Sequence, residues 1–250
     1  MNRFFFIFCL SALTASGATV YGVGAKGGRF TPASPTIIFT AGGSYNNTVG
    51  QRLYTNGASV IPAKTLALLA ITGQVSGGAQ VTNVTGNGCA WVRIDSTNFN
   101  AGAMSISLFR TMTNAATPSG GQVCEFAALQ TGCNMYLGLF TNVVTTGTSG
   151  SGAIVQSVKG TNATANPSLT LSALATKSGV AMAVSNVDQN GSAGTADEAG
   201  FVEDFDNGFN ITAQGLYYFH AVNTTDNTPT VTQIAQQWAA IAVEIAVLPP

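Results

Sequence analysis

Charge is what this chain has least of. Of its 250 residues, 8% are Asp, Glu, Lys or Arg, against roughly a quarter in an average soluble domain. Nine basic and ten acidic residues leave a net charge of −1. A nucleic-acid partner is excluded, because phosphates need a basic stripe and there is nothing to build one from. Electrostatic binding to a membrane surface fails on the same ground. Histidine is scarcer still. With His220 alone, a zinc-type ligand set is not assembled. A Ser-His-Asp triad would have to use it, and no G-x-S-x-G elbow presents a serine. No segment sustains a 3.6-residue apolar period, so long amphipathic helices are not expected. No cofactor is expected either.

What the chain has in quantity is apolar and turn-forming residues. Hydrophobic residues make up 46%, and there are 29 glycines, enough for a core and for many turns. Where a period is legible it is two. In Ala103–Met112, Met104, Ile106 and Leu108 share one face, and Ser105 and Ser107 the other. In Trp238–Leu248, Ile241, Val243, Ile245 and Val247 share a face opposite Ala240, Ala242, Glu244 and Ala246. Such alternation marks strands. Cys133–Val144 is apolar on both faces and is placed mid-sheet. Further strands are read at Thr36–Thr40, Gly50–Thr55, Thr65–Thr72, Ala79–Thr85, Cys89–Asp95, Gln122–Ala128, Ala153–Val158, Ser168–Ser172, Gly179–Val187, Leu216–Val222 and Thr228–Ile234. Short strands between turn signals predict an all-β, antiparallel two-layer β-sandwich, jelly-roll-like, over residues 36–250.

Two segments precede that domain. Residues 1–18 begin Met1-Asn2-Arg3 and run into an apolar stretch with Phe4, Phe5, Phe6 and Phe8. The segment reads as a secretory signal ending near Ser16-Gly17-Ala18, or as a docking arm for a neighbouring subunit. It is too short to be a stable membrane span, which takes about 20 residues. Residues 19–35 form a Gly/Pro linker. Gly22-Val23-Gly24-Ala25-Lys26-Gly27 matches G-x-G-x-x-G, but no helix follows to receive a pyrophosphate.

Six of the ten acids fall between Asp188 and Asp206. Asp204-Phe205-Asp206-Asn207-Gly208 resembles the start of a calcium loop, but the closing Glu is missing; the segment is read as a solvated acidic loop. His220 is read as an ordinary strand residue sharing a face with Leu216, Tyr218 and Val222. Cys89, Cys124 and Cys133 are expected to be free, mostly buried thiols, since Cys124 and Cys133 are out of register for cross-strand pairing. Trp91, Trp238, Arg93 and Glu244 are read as structural. A carboxylate on the alanine face of the last strand needs a partner, and Arg93 or Arg110 is expected to supply it.

Several blocks together carry a resemblance. They are Gly88-Cys89-Ala90-Trp91-Val92-Arg93-Ile94-Asp95-Ser96-Thr97, Ser107-Leu108-Phe109-Arg110-Thr111-Met112, Gln130-Thr131-Gly132-Cys133, Gly147-Thr148-Ser149-Gly150-Ser151-Gly152-Ala153-Ile154-Val155-Gln156-Ser157 and Trp238-Ala239-Ala240-Ile241-Ala242-Val243-Glu244-Ile245. Over about residues 60–248 the chain resembles β-sandwich structural proteins of tailed phages and related uncharacterised extracellular proteins. The resemblance implies a non-enzymatic surface, tail or decoration module of a virion. Its partners would be other virion proteins and further copies of itself, and it offers no catalytic residue to carry over. The alternative expectation is a secreted adhesin or carbohydrate-binding sandwich, with Trp91, Tyr217 or Tyr218 as stacking platforms.

Overall fold

The first eight strands wind as a jelly roll. They are β1 (Ile38–Asn47), β2 (Gln51–Thr55), β3 (Leu66–Gln74), β4 (Val81–Thr85), β5 (Val92–Phe99), β6 (Met104–Met112), β7 (Val123–Gln130) and β8 (Gly132–Thr141). One sheet has the order β1-β8-β3-β6-β5, and a smaller one β2-β7-β4. Strand 1 pairs with 8, 2 with 7 and 3 with 6, all antiparallel. That is an antiparallel ribbon rolled so that alternate pairs fall in opposite sheets. β5 departs from it by pairing with β6.

The rest of the chain adds β9 (Ile154–Asn162), β10 (Ser178–Asn186), β11 (Thr195–Ala196), β12 (Val202–Gly208), β13 (Gly215–Thr224), β14 (Val231–Thr232) and β15 (Trp238–Ile245). Five of these make a second large antiparallel sheet, β12-β13-β10-β15-β9, while β11 and β14 form a two-stranded ladder. The computed structural model describes residues 35–75, 79–175, 177–187, 195–196, 200–208, 214–233 and 235–250. Among them the one helical segment is a 3-10 turn, Thr148–Ala153. No described helix is long and apolar enough to cross a membrane.

The two five-stranded sheets pack face to face, as the sequence predicts. What alternation does not reveal is that the β1-containing sheet is covered on both faces. Leu66, Leu68 and Ala70 of β3 join Ile106, Leu108, Ala183, Ile241 and Val243 in the core between the large sheets. Ala67, Leu69 and Ile71 of the same strand join Tyr54, Phe126 and Leu137 beneath the small sheet. A strand buried on both faces reads as a continuous apolar run, as Leu66–Ile71 does. The outer face of the second large sheet carries its own cluster, with Met182, Val184, Tyr217, Phe219 and Trp238.

The long sides of the sandwich are pinned. On one side Asn46 Nδ2 donates to Asn207 Oδ1 (3.1 Å) and the Gly208 carbonyl, and Asn134 Nδ2 donates to the Asn207 carbonyl (2.9 Å). On the other, Lys159 Nζ donates to Asp95 Oδ1 (2.7 Å) and the Ser96 carbonyl (3.0 Å).

The acidic segment differs from expectation. Val202–Gly208 is not a loop, and its spacing does not form a calcium loop: it is edge strand β12. Charged side chains on an edge strand discourage unwanted pairing, which is how a strand comes to look like a solvated loop. The segments 1–18 and 19–34, including Phe4, Phe5, Phe6 and Phe8, lie outside the described residues, as do Asp188, Asp197 and Glu198.

Candidate functional site

The densest polar chemistry among the described residues lies where β12 and β13 meet β1 and β8. In the pairing of β12 with β13, Glu203 opposes Phe219 and Phe205 opposes Tyr218, which leaves Asp204 as the extra residue of a β-bulge. A bulge breaks the strict alternation and re-aims one side chain. Here it directs the Asp204 carboxylate to His220, with Oδ2 2.5 Å from Nδ1; the two side chains are 9% and 10% exposed. Phe39 of β1 stacks on the imidazole, centroids 3.8 Å apart, and Phe140 meets it edge-on at 6.3 Å. Tyr136 and Tyr218 lie with ring centroids 4.8 Å apart, and Phe205 stacks on Tyr136 at 5.1 Å. Both phenol oxygens are buried without a hydrogen-bond partner.

The electrostatics follow from that enclosure. Burial raises the Asp204 carboxyl above its ordinary range, and the hydrogen bond and charge of His220 pull it back down. Burial, then the charges of Asp206 and Asp204, raise Glu203. The Tyr136 phenol is pushed up by burial and then by Asp204, and Tyr218 by burial, Asp204 and Tyr136. The arrangement can share one proton between a carboxylate and an imidazole in an aromatic box. An Asp–His pair of this kind orients the base of a nucleophilic triad. Among the described residues, no serine, threonine or cysteine hydrogen-bonds the ring, so no nucleophile completes one. What the pair does here is satisfy two polar groups where the large sheets close.

Family models, curated proteins and solved structures yield no match to this chain. The resemblance to tailed-phage structural proteins therefore rests on the sequence blocks alone.

The residues singled out in the sequence are not brought together. Glu244 is 1% exposed and lies on the outer face of its sheet, as the alternation predicts, but its partner is not an arginine. It accepts from Gln156 Nε2 (2.7 Å), the Ala175 amide (2.9 Å) and Ser178 Oγ (2.5 Å). Arg93 belongs to the other large sheet, where it donates to the Val81 carbonyl and lies over the Phe109 ring. Arg110 opposes Leu68 in register, which directs it toward the core between the large sheets. Glu244 points away from that core, so a whole sheet separates the expected partners. Trp238 is buried and donates to the Ala165 carbonyl (2.6 Å). Trp91 is half-buried against the core beneath the small sheet. Tyr217 and Tyr218 are fully buried, so neither is a platform for a sugar.

The cysteines also differ from expectation in one respect. All three described cysteines are free thiols, but Cys124 and Cys133 touch, Sγ to Sγ, at 4.0 Å. Cross-strand register does not govern them, because β7 and β8 belong to different sheets.

Proposed function

We propose that this chain is a non-enzymatic structural subunit of a phage-like virion, such as a decoration, minor capsid or tail-associated protein, that works through protein–protein assembly. The observation that carries the reading is the character of its sheet edges. Ile38 on β1, Leu53 on β2 and Val155 on β9 are each more than half exposed, and each of those strands ends a sheet. Monomeric proteins blunt such edges with charged side chains, lysine above all, and with proline. Edge strands β1 and β4 carry no charged residue at all. The lysine of β9 is engaged with Asp95. A surface this poor in charge loses little to desolvation when a neighbour covers it.

The test is sedimentation and electron microscopy of the full chain at rising concentration. Ile38→Lys and Val155→Lys are the comparison variants. Assembly by the wild type, and its loss in the lysine variants with unchanged circular dichroism, is the expected result. A monodisperse monomer at high concentration would overturn the proposal and favour a secreted adhesin.

A further inference from the structure

We propose that Cys124 and Cys133 are the two halves of a specific disulfide, closed by a small-molecule disulfide of the glutathione type as the sheets come together. The two residues sit on consecutive strands joined through Thr131 alone, and the chain passes there from the small sheet to the large one. Cys124 opposes Tyr54 and Val84 in its sheet, and Cys133 opposes Gly73 in the other. Both point into the same apolar core, among Tyr54, Val84, Phe126 and Met135, and both are fully buried. Their sulfurs are already at van der Waals contact. Reaching a bond of about 2.05 Å requires each sulfur to move by about 1 Å, within the range of a rotation about the Cα–Cβ bonds. The third described cysteine, Cys89, is half-exposed, and its thiol contacts the Asn87 carbonyl.

The chemistry balances in two exchanges. One cysteine loses its proton, and its thiolate attacks the oxidant disulfide, expelling one glutathione thiolate and leaving a mixed disulfide. The second cysteine loses its proton and displaces the other glutathione thiolate. The protein gives up two hydrogens, and the oxidant is reduced to two thiols. In the finished fold Cys133 is a poor nucleophile, because burial, then the hydrogen bond and charge of Cys124, hold its thiol well above the ordinary range. The exchange therefore belongs to the folding chain. The same burial afterwards shields the product from reductants, so the redox state of the pair records the compartment in which the chain folded.

The experiment refolds the reduced full chain from denaturant in a mixture of reduced and oxidised glutathione. Free thiols are then alkylated and the chain is digested. No Lys or Arg lies between Arg110 and Lys159, so trypsin leaves both cysteines on one peptide, apart from Cys89. The expected peptide carries no alkyl group and is about 2 Da lighter than its dithiol form. Cleavage after Glu125 leaves its two halves joined until they are reduced, and Cys89 is alkylated. In Cys133→Ser the mass deficit disappears. Export of the full chain to a bacterial periplasm, followed by the same mapping, provides the measurement if refolding fails. Two alkyl groups on the 111–159 peptide, a stable glutathione adduct there, or a bond to Cys89 would each overturn the proposal.

Discussion

At Glu244 a change of a single atom should be costly. Its carboxylate is 1% exposed, and among the described residues it has no cationic partner. Three donors hold it: the Ala175 amide and Ser178 Oγ on one oxygen, and Gln156 Nε2 on the other. Glu244→Ala leaves all three donors facing a void. A buried donor stripped of its partner costs about 1–3 kcal/mol, and three donors are stripped here, about 3 kcal/mol or more in all. Glu244→Gln is the more informative change. Its oxygen can keep Ala175 and Ser178, but its NH2 then meets the Gln156 NH2. Gln156 is not free to flip its amide, because its Oε1 accepts from the Ser172 amide (2.8 Å) and its Nε2 donates to the Ser172 carbonyl (3.1 Å). A donor–donor contact in a closed site should cost about 2 kcal/mol. For a domain of this size that lowers the melting temperature by roughly 4–8 °C, and Glu244→Ala by more than 6 °C. Scanning calorimetry at neutral pH measures both. If Glu244→Gln melts within about 1 °C of the wild type, the network is not holding the sheet and the reasoning fails.

Three further outcomes follow from the same packing. A Cβ at Gly73 would collide with the Phe126 ring and lie 2.7 Å from Gln130 Oε1, so Gly73→Ala should cost about 1–3 kcal/mol of overpacking, measured by urea unfolding. Burial makes folded Asp204 hold its proton more tightly than the unfolded chain, whose ordinary value is 3.8. Its contribution to stability is therefore fully present below that value and lost as pH rises through the raised folded one. Wild type should gain on Asp204→Asn as pH falls from neutral, and a flat or reversed difference in melting temperature against pH would refute it. The Lys159–Asp95 bridge has side chains 46% and 26% exposed, so Lys159→Ala should cost under about 1 kcal/mol, and less still in high salt.

Local pattern revealed much of the fold and little of its wiring. Ala103–Met112 and Trp238–Leu248 were legible because alternation is a property of adjacent residues, and the observed strands Met104–Met112 and Trp238–Ile245 fall inside those windows. The face assigned to Glu244 was legible for the same reason. Its partners were not, since Gln156 and Ser178 reach it from β9 and β10, distant in the chain. β12 was hidden by its acids. Asp204 was doubly hidden, because a bulge shifts parity and no sequence rule marks where the bulge falls. The extra layer under β3 was signalled by the unbroken run Leu66–Ile71, but such a run equally fits any fully buried strand.

The position of β15 in its sheet has a consequence for biosynthesis. It is the last strand in chain order, yet it lies inside the sheet, between β10 and β9, and β9 pairs with no other strand. A chain emerging from the ribosome can roll up β1–β8 while the face of β6 that belongs to the core between the large sheets, with Ile106 and Leu108, stays wet. Its cover is completed only when Trp238–Ile245 threads between two waiting strands. Long-range pairing is slow and leaves apolar surface open to aggregation in the interval. Synthesis of this protein therefore passes through a half-covered state with apolar surface open to water, and removal of β15 would leave the chain there.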